Sequence, residues 1–156
     1  MTYKEYKDNR QSEFNKLPLF FAYSDEQFAR EMEKRGLTAA DTDQVYRCGQ
    51  ALYLKKDAET VRAWLKIDHD SELRDMMKND PAFAEDAFYY EMGNHEYFIN
   101  WQASWDVCSC FGNVEYSDRK GYRDYLAELG FGEETMQAYE RAKTKLWKYW
   151  DEHDMF

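Results

Sequence analysis

The 156-residue chain has few of the residues that interrupt or crosslink a fold: two prolines, seven glycines, three cysteines and three histidines. It contains no repeat, no low-complexity tract and no Pro, Gly or Ser-rich linker, so one globular domain spanning 1–156 is expected. An odd set of thiols, Cys48, Cys108 and Cys110, lacks the spacing of a disulfide framework. No basic-then-apolar signal segment opens the chain, and a reduced, cytoplasmic setting is expected. Long apolar runs are missing as well. The longest stretch without Asp, Glu, Lys or Arg is Tyr97–Trp105, far short of the ~20 apolar residues of a membrane span.

Scarce histidine also removes several chemistries. A zinc-protease motif needs two histidines four residues apart on one helix face, and four residues past His95 stands Ile99. Cys108-Ser-Cys110 has one intervening residue where paired zinc thiolates usually have two to four. His95 is followed directly by Glu96 and no C-x-x-C occurs, so the zinc-deaminase pattern is absent. Asp68, Asp70 and Glu72 begin a calcium-loop pattern, but Leu73 replaces its glycine and Asn79 its bidentate acid. Neither a phosphate-cradling glycine loop nor a G-x-S-x-G elbow is found. No catalytic residue, metal or cofactor is therefore expected.

What the chain does have is acid and aromatic rings. Hydrophobic residues make up 44% and aromatics 18%, which supplies a core that a disordered chain would lack. The formal net charge is -10, and it is unevenly placed. Residues 57–91 carry ten acids against four bases, and 92–117 carry three acids and no base. Duplex nucleic acid is a poor ligand for such a surface, because affinity for it rests on neutralising phosphates. A basic, nucleic-acid-binding protein suits it better: acids steer the encounter and rigid aromatics anchor it. The candidate contact residues are Asp68, Asp70, Glu72, Asp75, Asp80, Glu85, Asp86, Glu91, Tyr97, Trp101 and Trp105.

Local patterns predict an α+β protein, mainly helical, with a small two- or three-stranded β element. Tyr3, Tyr6, Arg10 and Phe14 form one helical stripe that Pro18 ends, and "PLFFAYS" reads as a short buried strand. Ser24 and Gln27 have capping-box spacing. "VYRCGQALYLKK" reads as a hairpin around Gly49. Asp57 opens a helix through Val61 and Trp64 that "DHDS" interrupts before a second helix through Leu73 and Met77, and Asp80-Pro81 opens a third. Gly93-Asn94 stops that helix at about Met92, leaving His95 just past its end. "EYFINW" reads as a strand, "SWDVCSCF" as a short helix, Ser117 as the cap of the next, and a last helix starts near Glu133.

Two blocks, "EFNKLPLFFAYSDEQF" (13–28) and "FYYEMGNHEY" (88–97), resemble segments of small acidic proteins of phages and mobile elements of gut Firmicutes. The resemblance carries over no functional residue. It implies a context in which small acidic proteins, anti-CRISPR and anti-restriction inhibitors among them, block host nucleases as nucleic-acid mimics. The leading expectation is a non-enzymatic inhibitor of a nucleic-acid-targeting defence protein, the type II CRISPR effector being one such target. Two alternatives stand beside it. One is a small enzyme or metal-binding domain using Asn94, His95 and Glu96 near Cys108 and Cys110; the other is an interaction module without inhibitory role.

Overall fold

The computed structural model describes residues 1–156 as a mainly helical α+β protein. Its elements are α1 (Tyr3–Asn15), α2 (Asp25–Lys34), β1 (Val45–Cys48), β2 (Ala51–Leu54), α3 (Ala58–Leu65), α4 (His69–Asn79), α5 (Pro81–Asn94), α6 (Ala103–Ser109), α7 (Tyr122–Glu128) and α8 (Glu133–Glu152). Contacts group the chain into two compact units, Met1–Asn9 with Asp68–Phe156, and Arg10–Ile67.

The smaller unit, Arg10–Ile67, is built on the hairpin. β1 and β2 pair antiparallel in the register Val45↔Leu54 to Cys48↔Ala51, and Gly49 takes the left-handed φ of 61° that the tight turn requires. The strand expected at "PLFFAYS" shrinks to one bridge: Phe20 exchanges both backbone hydrogen bonds with Leu52, at 2.9 and 2.8 Å. Pro18, two residues earlier and the next position that would donate to β2, has no N–H, and Leu19 N–H folds back on Leu17 O at 2.7 Å, so the ladder stops on that side of Phe20. Ser24 Oγ caps α2 by accepting from Gln27 N–H at 3.1 Å, while the Gln27 side chain reaches back to Tyr23 N–H at 2.8 Å. Phe20, Met32, Leu52 and Leu54 form one small core, with the Arg35 guanidinium 3.9 Å from the Phe20 ring centre. Tyr53, Ala58 and Val61 form another.

In the larger unit α5 packs chiefly on α8. Helix α5 buries Phe83, Ala84, Ala87, Phe88, Glu91 and Met92, a helical-period set that forms one broad face and carries a carboxylate within it. The short side chains Ala84, Ala87, Ala138 and Ala142 are fully buried, as close helix packing demands. Around them stand Phe88, Phe111, Tyr125 and Tyr139, with Phe88 edge-on to both Phe111 and Tyr139.

Caps decide where these helices begin. Asp68 accepts from Ser71 N–H at 3.0 Å, so "DHDS" opens α4 rather than merely interrupting a helix. Asp80 caps α5 through Ala82 and Phe83 N–H, both at 3.1 Å, with Pro81 in the first turn. The strand expected at "EYFINW" is a turn instead. Gly93 and Asn94 stay helical, Glu96 swings to φ 51°, and Tyr97 and Ile99 N–H bond back to Met92 and Glu96 carbonyls. Helix α7 starts later than Ser117 suggests: Asp124 accepts from Gly121 N–H at 2.8 Å, while Ser117 Oγ holds a tight turn through Arg119 N–H at 3.2 Å.

Candidate functional site

The acids of 68–91 do different jobs. Asp68 and Asp80 cap helices, and Asp70 and Glu72 lie in the first turn of α4, where the helix dipole favours negative charge. Glu85 pairs with Arg141 at 2.7 Å, and Asp86 accepts the Tyr3 backbone N–H at 2.6 Å. Asp75 is exposed beyond that first turn. It joins Glu72 and Asp80 in lining an open cleft of about 470 Å³ beside α4 and the start of α5, together with Met1, Met76, Asn79 and Phe83.

Glu91 corrects the expectation of a surface acid: it is 1% exposed. A carboxylate is stable there because donors surround it. Tyr3 Oη donates to Oε1 at 2.8 Å, Lys7 Nζ donates to the same oxygen at 3.0 Å, and Asn94 Nδ2 approaches Oε2 at 3.4 Å. Burial works to raise the Glu91 carboxyl, but the Lys7 and Tyr3 hydrogen bonds and the Lys7 charge outweigh it and hold the group below its ordinary range. Tyr3 is pushed the other way, by its own burial and then by the Glu91 charge.

His95 stands one turn on from Glu91. Its Nε2 lies 3.6 Å from Glu91 Oε2 and 3.4 Å from Cys110 Sγ. Asn100 Nδ2 fixes the backbone there by donating to His95 O at 3.1 Å. Cys110 ends α6, with its thiol donating to Asp106 O at 3.3 Å. Burial, and then the Glu91 charge, pushes the Cys110 thiol up to about 12. Of the NHEY and CSC segments, His95 and Cys110 therefore meet. Glu96 is exposed on its turn, and Cys108 is buried in the core with its thiol also raised by burial.

The three aromatics divide as well. Tyr97 is half-buried, accepts from Tyr139 Oη at 3.0 Å and sits 3.4 Å from Ser104 Oγ. Trp105 is half-buried and donates Nε1–H to Val114 O at 2.9 Å. Neither is a free anchor. Trp101 is 79% exposed, its ring edge-on to Tyr116 at 6.0 Å.

Fold and site together describe a small helical α+β protein with a buried carboxylate cluster and an acid-lined cleft. The chain belongs to the family described as "Family of unknown function (DUF7659)", whose model matches residues 2–152. No curated protein and no solved structure matches it significantly. No helix is long and apolar enough to cross a membrane.

Proposed function

We propose that this chain is a non-enzymatic binding protein for a basic, nucleic-acid-handling partner, acting in the cytoplasm. The observation that carries the reading is the cleft beside α4 and the start of α5. Glu72, Asp75 and Asp80 line it together with the apolar side chains of Met1, Met76 and Phe83. That arrangement matches a lysine or arginine side chain, whose apolar stem needs covering and whose head needs carboxylates. Exposed Trp101 supplies a second contact of the kind that slows dissociation.

The first partner to test is the effector of a type II CRISPR system, followed by other defence nucleases, in line with inhibition of the mobile-element kind. Immobilised effector should capture the chain at low salt and release it as salt rises. The pair Glu72→Lys and Asp75→Lys should weaken capture by about tenfold or more, mainly through slower association, and Trp101→Ala should speed dissociation. Capture that is indifferent to salt and to both reversals would sink the electrostatic reading. Nuclease activity measured with and without the chain separates an inhibitor from an interaction module without inhibitory role.

A further inference from the structure

We propose that Glu91, His95 and Cys110 form a binding site for a transition-metal dication of the zinc class. One donor atom from each residue, an oxygen, a nitrogen and a sulfur, lies within 4.8 Å of the other two. The spacing is more telling than the proximity. Tetrahedral zinc, with metal–ligand distances of about 2.0–2.3 Å, sets neighbouring donor atoms roughly 3.4–3.6 Å apart. His95 Nε2 lies 3.4 Å from Cys110 Sγ and 3.6 Å from Glu91 Oε2.

Hydrogen bonding accounts for only part of this arrangement, the Cys110 thiol pairing with Asp106 O and with the Glu91 carboxylate. One imidazole nitrogen carries at most one proton, yet Nε2 faces a carboxylate and a thiol together. At 3.6 Å the carboxylate contact is too long to be a hydrogen bond, whereas it is an ordinary edge of a coordination polyhedron.

The surroundings are those of a supported ligand set. Tyr3 and Lys7 both hold Oε1 of Glu91, which orients the carboxylate and leaves Oε2 toward His95. Glu91 and a Cys110 thiolate, its proton released to solvent as the metal binds, bring two negative charges against the two positive charges of a dication, and Lys7 on the other Glu91 oxygen leaves the cluster at a net charge of +1. The His95 side chain is 31% exposed, which gives an ion and a fourth, water ligand a route in. An oxygen, a nitrogen and a thiolate sulfur select borderline metals over magnesium or calcium.

Cobalt(II) is the probe, because thiolate ligation and tetrahedral geometry each give it a distinct absorption. The full chain carrying Cys48→Ser, which removes the exposed thiol, is titrated with Co²⁺. One equivalent should bind, with a thiolate charge-transfer band and intense visible bands, and zinc should displace it. Cys110→Ser should abolish the charge-transfer band. Tyr3→Phe, which leaves the ligands in place, should weaken affinity by about tenfold, and His95→Ala should weaken it further. Circular dichroism identifies any variant that fails to fold. In that case the Cys48→Ser chain decides alone: a folded chain that takes up no cobalt overturns the proposal, as does a charge-transfer band that survives Cys110→Ser. The outcome is independent of the α4–α5 cleft.

Discussion

The two units of the chain solve the problem of stability differently. The larger one fills its interior with rings, Tyr3, Phe88, Phe111, Tyr125 and Tyr139 among them, and admits one charged residue, Glu91, surrounded by donors. The smaller one rests on a two-stranded hairpin and two clusters, of four and three buried residues. An isolated two-stranded ribbon is marginal in water, so its persistence depends on the Phe20 bridge and on Met32 beneath it. An ionised group is tolerated where a deep aromatic shell and several donors coincide. The smaller unit keeps its charged groups outside its cores.

Several measurements would break or sharpen that contrast, the substitutions taken in order of expected size. Phe88→Ala removes a fully buried ring with two edge-on neighbours and should cost about 3–5 kcal/mol in urea unfolding. A loss under 1 kcal/mol would mean the aromatic interior is not close-packed.

Tyr3→Phe strips one donor from buried Glu91 and should cost about 1–3 kcal/mol, measured the same way. The pH profile tests the same residue. Because the Glu91 carboxyl is lower in the folded chain than its ordinary 4.5, its contribution is complete above that value. It disappears as pH falls through the folded value. Glu91→Gln should flatten the acid limb of stability against pH, and an unchanged limb would remove Glu91 from the account.

Gly112→Ala comes next. An added Cβ would meet Arg74 Nη1 and Leu129 Cδ2 at 2.6 Å each, and Arg74 is held there by donating to Phe111 O at 2.8 Å. A loss of about 1–3 kcal/mol is expected in thermal unfolding. The smallest effect falls in the smaller unit: Ser24→Ala deletes the α2 cap and should cost about 1 kcal/mol. Amide exchange completes the comparison, with Val45–Leu54 exchanging faster than α5 and α8.

Local chemistry made much of the fold legible in the sequence. Ser24, Asp80-Pro81 and Gly49 act on neighbours within a few residues, so their cap and turn roles can be read in place. Ser117 misleads because Tyr125, eight residues on, donates to its carbonyl and holds it in a turn ahead of α7. The Glu91 cluster has no such local signature. Counting four residues forward from His95 meets Ile99, while counting four back meets Glu91, which looks like one more acid in an acidic stretch. Its donors Tyr3 and Lys7 come from 88 and 84 residues away, and no local pattern predicts such a meeting. The 97–105 segment lacks a signature of a different kind. Without a regular period through Tyr97 and Trp101, nothing in the order of residues says which ring faces solvent.

The thiols offer a practical handle. Cys48 is exposed at the end of β1, Cys108 is enclosed, and burial raises the half-buried Cys110 thiol well above its ordinary range. A mild alkylating dye at neutral pH should therefore mark the hairpin alone. The smaller unit can then carry an optical label while the larger one stays unlabelled.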